Sequence, residues 1–384
     1  MPQTYMMKKV FPVLAISMFA SMLGAGVISP LLPLYSESMG ATGIWIGITF
    51  ASFSISRSIL LPFIGRLSDR RGRKLFLCIG LAGYAIISLG YVLANTINHL
   101  ILTRLVQGAA SGMILPIAMA YIGDLSPEGE EGKWMGYANA AFFSGFAVGP
   151  LLGGTLADWF GMNAAFFTMG GVNLLAFLLV IFLLPEVSRQ KMATTPHSSY
   201  REMGASRMLR GLFSYRVAYA ISRASLFSFL SIFATSCLSL STTLIGIVLT
   251  THIALITLFQ PYLGRIADRY NRRAMIILGS IINFTFLALI PLTHNFWQLL
   301  GLSVLGSLGA GISLPAATAL SVTEGRKFGM GSTMSILMMA MSIGMATGPV
   351  ACGAIADALN VGSVFYFAAF MGLVGTSLFI WFTR

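Results

Sequence analysis

Apolar residues in this chain do not alternate at the period of a strand. They come in blocks of about 20, each closed by a short polar stretch. Read with a window of about 19 residues, twelve such blocks stand out, at roughly 10–35, 43–64, 75–95, 98–122, 134–157, 163–184, 211–237, 243–263, 274–293, 297–322, 330–356 and 362–382. Each is long enough to cross a bilayer as a helix, the form in which a segment satisfies its own backbone donors and acceptors without water. The expected fold is all-α, with twelve transmembrane helices. The first block follows Lys8 and Lys9, outruns a signal-peptide core and has no small-residue cleavage site before the second. It reads as a span rather than a leader.

Composition agrees. Of 384 residues, 56% are hydrophobic and only 9% charged, against about a quarter charged in soluble domains. The polar breaks set an orientation. Of the 24 lysines and arginines, 21 fall in every second connection or at the termini: Lys8 and Lys9, the cluster Arg66 to Lys74, Lys133, the stretch Arg189 to Arg216, the cluster Arg265 to Arg273, Arg326 with Lys327, and Arg384. The alternate connections hold none. This positive-inside bias places both termini in the cytoplasm. It also accounts for the formal charge of +12 without a nucleic-acid partner. All five tryptophans lie near span ends, the level an indole prefers. Cys78, Cys237 and Cys352 sit far apart in apolar blocks, so neither a disulfide framework nor a metal site is expected.

The chain repeats itself. Adding 199 carries Pro62, Gly65, Asp69 and Arg70 onto Pro261, Gly264, Asp268 and Arg269. The same shift carries Leu115-Pro116 onto Leu314-Pro315, Gly149-Pro150 onto Gly348-Pro349, and Asp158 onto Asp357. Two six-span halves in the same orientation follow: residues 1–184 and 211–384, joined by a polar cytoplasmic segment, 185–210. Parallel repeats with a substrate site between them near mid-depth are a common plan of secondary transporters.

The stretch GRLSDRRGRK, from Gly65 to Lys74, resembles the loop signature of the major facilitator superfamily, and GRIADRYNRR, from Gly264 to Arg273, its weaker second copy. Arg104-Leu-Val-Gln107-Gly108 is similar to that family's fourth-span motif. The run Gly145-Phe-Ala-Val-Gly149-Pro150-Leu-Leu-Gly153-Gly154 resembles the fifth-span motif of its drug and metabolite antiporters. The resemblance covers essentially the whole chain. It implies alternating access by two six-helix bundles around a central cavity, and it favours export over uptake. One departure is Asn271, which stands where the second loop copy would carry a glycine.

Several residues carry candidate chemistry. In the first loop, Gly65, Asp69, Arg70, Gly72 and Arg73 read as a cytoplasmic latch in which the carboxylate pairs with arginines or caps a neighbouring helix. Asp124, at the end of span four, is a counter-charge for Arg70 or Arg73, and Asp268 with Arg269 forms the second copy. Plain topogenic charge would need the cations alone, not the carboxylate or the glycine spacing. Gly145, Gly149, Pro150, Gly153 and Gly154, with Gly348 and Pro349 in span eleven, predict closely approaching, proline-bent helices.

Arg57, Arg104 and Arg223 lie inside apolar spans, each at a cost of at least about 2.5 kcal/mol. All twelve acids fall at span ends or in loops. Three such cations imply a positive cavity for an anionic substrate, although Arg57 near its span end can snorkel and Arg104 can be structural. His252, midway along span eight, is the one intramembrane histidine and a candidate proton carrier. A lone histidine is more often a hydrogen-bonded packing residue. Glu37 and Asp124 are the other coupling candidates. Methionines at 330, 334, 338, 339, 341 and 345 would suit a pocket for varied apolar shapes, or serve as ordinary packing and lipid-facing residues.

No GxxxxGK[ST] loop is present, so gradients rather than ATP must power the cycle. The expected activity is secondary export of an amphipathic organic solute with an anionic group, exchanged for protons, in a prokaryotic plasma membrane. The alternative is an organic-anion importer or exchanger working against a counter-anion. An enzyme is not expected, the scattered histidines forming no catalytic cluster. No cofactor is expected, and the protein is taken to work as a monomer in the lipid bilayer.

Overall fold

A computed structural model describes residues 3–127, 130–185, 200–328 and 330–384. Most of the polar connection between the halves, at 186–199, lies outside these residues, as do the side chains of Asp69, Arg70, Asp268 and Arg269. The helices are α1 (Gln3–Ser38), α2 (Gly43–Arg71), α3 (Arg73–Val92), α4 (Ile97–Gly112), α5 (Leu115–Leu125), α6 (Glu131–Phe160), α7 (Met162–Leu183), α8 (Tyr200–Ala205), α9 (Arg207–Leu238), α10 (Thr242–Arg269), α11 (Arg272–Leu289), α12 (Phe296–Phe328), α13 (Met330–Ala358) and α14 (Val361–Thr383). Among the described residues there is no strand, and twelve helical segments are long and apolar enough to span a membrane.

The helices overrun the apolar blocks mainly at the cation-rich face. There α1 begins before Lys8, α2 reaches Arg71, α10 reaches Arg269 and α12 reaches Phe328. Apolar blocks measure hydrocarbon thickness. A helix has no reason to stop there, because its cations extend into the interface while its backbone stays bonded.

Span four differs from its expected continuous form. It is two helices, α4 and α5, with Met113 and Ile114 between them and Pro116 in the first turn of α5. Proline suits a helix N-terminus, where its missing donor is not needed. The equivalent Pro315 sits inside the unbroken α12, so the same Leu-Pro pair ends a helix in one half and is absorbed in the other. Span nine likewise closes with a 3₁₀ turn, Ile290–Leu292, around Pro291.

Short connections join the helices. Gly72 (φ 96°) and Gly161 (φ 84°) turn the chain in a backbone region that side chains resist. Thr96, Ser206, Asn271 and Asn360 cap α4, α9, α11 and α14 by accepting a backbone N–H from the first turn.

By contact density the chain forms two compact units. The first comprises residues 1–40, 52–192 and 241–250, and the second residues 41–51, 193–240 and 251–384. In the first, Leu23, Val27 and Leu31 of α1 meet Ala165 of α7, with Leu152 and Leu156 of α6 against them. In the second, Leu212, Tyr215 and Tyr219 of α9 pack with Met275 and Ile276 of α11, Ala316 of α12, Leu337 of α13 and Phe379 of α14. Buried hydroxyls turn back to their own helix, as Ser17 does to the Val13 carbonyl (2.7 Å) and Ser225 to Ile221 (2.8 Å).

Candidate functional site

In the first unit, α4 places Arg104 and Gln107 three residues apart on one face. Arg104, only 8% exposed, donates from Nη1 to Gln107 Oε1 at 2.9 Å and lies over the Phe53 ring at 4.7 Å. The same Oε1 accepts the Tyr91 hydroxyl at 2.6 Å, and the Tyr91 ring stacks on Phe166 at 5.1 Å. One amide oxygen therefore serves both a guanidinium and a phenol, with aromatic rings beside each. Gly108 lets α4 approach α2 here, because a Cβ would press on the Arg57 backbone nitrogen at 3.1 Å. The half-buried Arg57 and Arg104 are thus neighbours, and both are near enough for their charge to reach the fully buried Tyr84.

In the second unit, α9 presents Arg216, Tyr219 and Arg223 at spacings of three and four, one stripe of a helix. Arg223, half-buried, lies over the Phe227 ring at 5.5 Å. Sequence reasoning counted Arg216 among the cytoplasmic cations. It is half-buried within α9, with Nη2 donating to Thr318 Oγ1 at 3.4 Å and Nη1 3.7 Å from Met341 Sδ. Its i, i+7 spacing from Arg223 was the available signal. His252 is 7% exposed, stacked on Phe286 at 5.5 Å. With Nδ1 protonated, its ring donates to the Ser303 carbonyl at 3.1 Å. The Arg223 charge acts on this ring, so the two candidates share one neighbourhood.

At the cation-rich face, Arg73 Nε lies 2.8 Å from Asp124 Oδ2, joining the start of α3 to the end of α5. Gly72 supplies the turn before Arg73, and Gly65 sits on α2 with open space beside it. Asp69, Arg70, Asp268 and Arg269 have side chains outside the described residues. In the second copy, Asn271 does different work from Gly72: its Oδ1 accepts from the backbone nitrogens of Arg273 (3.0 Å) and Ala274 (3.4 Å). Glu37 is exposed at the end of α1.

The small residues of α6 serve close approach. A Cβ on Gly149 would stand 2.5 Å from Gly26 Cα, and one on Gly153 would stand 2.5 Å from the Val27 carbonyl. Gly145 meets the Phe19 carbonyl in the same way, so three glycines seat α6 on α1, while Gly154 faces the Thr242 carbonyl of α10. After Pro150, the Leu151 nitrogen donates to Thr250 Oγ1 at 3.1 Å. In the second half, Gly348 of α13 lies against Ile221 of α9, its added Cβ 3.0 Å from Cα, and Pro349 lies against Gly47 of α2. Of the α13 methionines, Met338 and Met339 are exposed and Met341 faces Arg216. Among the described residues no group of His, Cys, Asp or Glu could hold a metal, and the three cysteines are free thiols.

Twelve apolar helices in a duplicated arrangement, with cations buried inside the spans and a cation-rich loop after the second, define a multi-pass membrane transporter. The chain belongs to the Major Facilitator Superfamily, whose profile matches residues 14–235 and again 212–384. It is a transporter and not an enzyme. It is 28% identical over 373 residues to an uncharacterised MFS-type transporter of Methanocaldococcus jannaschii, covering 96% of each chain. It is also 28% identical over 383 residues to the quinolone resistance protein NorA of Staphylococcus aureus, covering 96% of this chain and 95% of that one. Among solved structures, a bacterial homologue of the human lysosomal transporter Spinster superposes with a TM-score of 0.86 at 16% identity, over 97% of this chain and 96% of the other. The human organic anion transporter MFSD10 superposes with a TM-score of 0.69 at 19% identity, over 99% and 100%. These two likenesses establish the fold alone.

Proposed function

We propose that this transporter exports amphipathic organic solutes carrying an anionic group, in exchange for protons, across a prokaryotic plasma membrane with both termini in the cytoplasm. The observation that carries the reading is the set of cations held within apolar spans: Arg57 and Arg104 in the first unit, Arg216 and Arg223 on one stripe of α9 in the second. A cation held in a low-dielectric span attracts anions more strongly than one in water. Arg57, Arg104 and Arg223 are the proposed substrate-binding cations, with Arg104 held in place by Gln107 and Phe53. The likeness to a quinolone resistance protein supports export of organic solutes.

His252, with Nδ1 turned to the Ser303 carbonyl, keeps its other ring nitrogen for a proton and is the proposed coupling residue. Residues 1–184 and 211–384 act as the two moving halves around the 185–210 connection. The proposed cytoplasmic latch has Asp69 and Arg70 in its first copy, to which the Arg73–Asp124 pair belongs, and Asp268 and Arg269 in its second.

A thermal-shift screen of the purified protein against organic anions, neutral apolar drugs and lipophilic cations tests the reading. A ligand at a hundred times its Kd adds about 2.7 kcal/mol of stability. Anions should stabilise the wild type and lose that effect in Arg223→Gln, while neutral ligands keep theirs. Stabilisation by lipophilic cations, or equal loss across charge classes, overturns the anionic assignment. Uptake that depends on internal anion and ignores pH would establish the exchanger instead.

A further inference from the structure

Two carboxylates related by the internal repeat make the same contact. Asp158, in the last turn of α6, accepts the Thr242 backbone N–H (3.2 Å) and hydroxyl (2.5 Å) through Oδ1, and the Thr243 N–H (2.7 Å) through Oδ2. Asp357, in the last turn of α13, accepts the Gly43 N–H (2.5 Å) through Oδ1 and the Ile44 N–H (2.9 Å) through Oδ2. Gly43 and Ile44 become Thr242 and Thr243 on adding 199, as Asp158 becomes Asp357. Each carboxylate thus takes the first two backbone donors of a helix far away in sequence. Those donors have no partner within their own helix, and a negative charge is favoured there by the helix dipole and by charge-assisted bonding.

The surrounding seam is equally matched. Gly246 of α10 sits against the Pro150 carbonyl, and the Thr242 hydroxyl also donates to the Gly154 carbonyl at 3.0 Å. Gly47 of α2 sits against the Pro349 carbonyl, and Gly353 against that of Gly43. In both cases the proline-glycine stretch of one helix receives the first turns of another. As a result, residues 241–250 of the second half group with first-half helices, and residues 41–51 of the first half group with second-half helices.

We propose that Asp158 and Asp357 are the paired positioning residues of the gate at the cation-poor face: their caps on α10 and α2 hold that face shut and must release for it to open. The inference rests on membership of a transporter family and not on the substrate class proposed above. The negative charge matters as well as the oxygen, because charge-assisted bonds at a helix N-terminus are stronger than those a neutral amide oxygen makes. Releasing the caps leaves the first backbone donors of α2 and α10 to water.

Hydrogen exchange read by mass spectrometry on the full-length protein in nanodiscs tests this, with Asp158→Ala, Asp357→Ala, their double, the two Asn variants and the milder Thr242→Val. Losing an N-cap should speed exchange of the capped turn by about fivefold. The expected result is faster exchange in peptides covering 41–51 and 241–250, with slower exchange in peptides covering 65–75 and 264–274 at the opposite face. The double variant should shift most and the Asn variants less. Thr242→Val, which keeps both carboxylates, should shift least and in the same direction. The reciprocal slowing is what a mere structural cap would not produce. Faster exchange at both faces, or no change at either, overturns the proposal.

Discussion

Arg104, Gln107 and Tyr91 show how a membrane span carries a buried cation: its donor meets an amide oxygen that a tyrosine also uses, and an aromatic face covers the guanidinium. The two partners of that oxygen are not equivalent to delete. Tyr91→Phe removes one donor and leaves Gln107 bonded to Arg104, so it should cost about 0.6 kcal/mol, the scale of membrane-protein hydrogen bonds. Gln107→Ala removes the acceptor from a charged donor and a phenol together and should cost about 1–3 kcal/mol. Thermal unfolding of the two purified variants should rank them in that order, and the reverse order would mean that Tyr91 has another acceptor. The arginines inside the spans were legible in the sequence, because charge in apolar sequence is rare. Arg216 was not, because a cation this near a charged connection looks like a topology signal until its partners on α12 and α13 are seen.

Helices here are seated by what their glycines face rather than by how many they have. Gly149 is closed in by the α1 backbone, and Gly301 of α12 has nothing within reach of an added Cβ. Gly149→Ala should therefore cost about 1–3 kcal/mol by overpacking, whereas Gly301→Ala should be neutral or add up to about 1 kcal/mol through helix propensity. Melting temperatures of the pair in one detergent decide it, and equal shifts would mean that α6 and α1 yield to the methyl group. Hydropathy located the spans well because hydrocarbon thickness is the property it measures. It placed the helix ends poorly at the cation-rich face, where helices continue past the apolar limit. It could not foresee the break in span four, since Leu115-Pro116 and Leu314-Pro315 are identical pairs with opposite outcomes.

For the molecule as a whole, the repeat was readable as a register long before its purpose was. The constant offset aligned Asp158 with Asp357, but only the structure shows the helix turns that each carboxylate meets, because those partners are distant in sequence. The Arg73–Asp124 pair joins α3 to α5 at the cation-rich face, where it is proposed to act in the latch. With side-chain exposures of 15% and 37%, it contributes little to stability, so its loss should appear in turnover. Arg73→Asp and Asp124→Arg should each slow flux with little change in melting temperature, and the double exchange should recover it. Failure of the double variant would mean that the pair is not what matters at these positions.

The three free thiols, finally, differ in where they stand. Cys352 is fully buried with its sulfur 3.0 Å from Ser225 Oγ, Cys78 is half-buried within α3, and Cys237 is exposed beside the left-handed Ser239 that ends α9 at the cation-poor face. Nature has thereby installed a single reporter. A membrane-impermeant maleimide applied to intact cells should modify Cys237 and leave the other two unlabelled, giving one adduct by intact mass. Labelling that required opened cells would reverse the orientation assigned from the cation bias. The unmodified chain can thus be oriented, and then followed by fluorescence at that one site, without first being stripped of its cysteines.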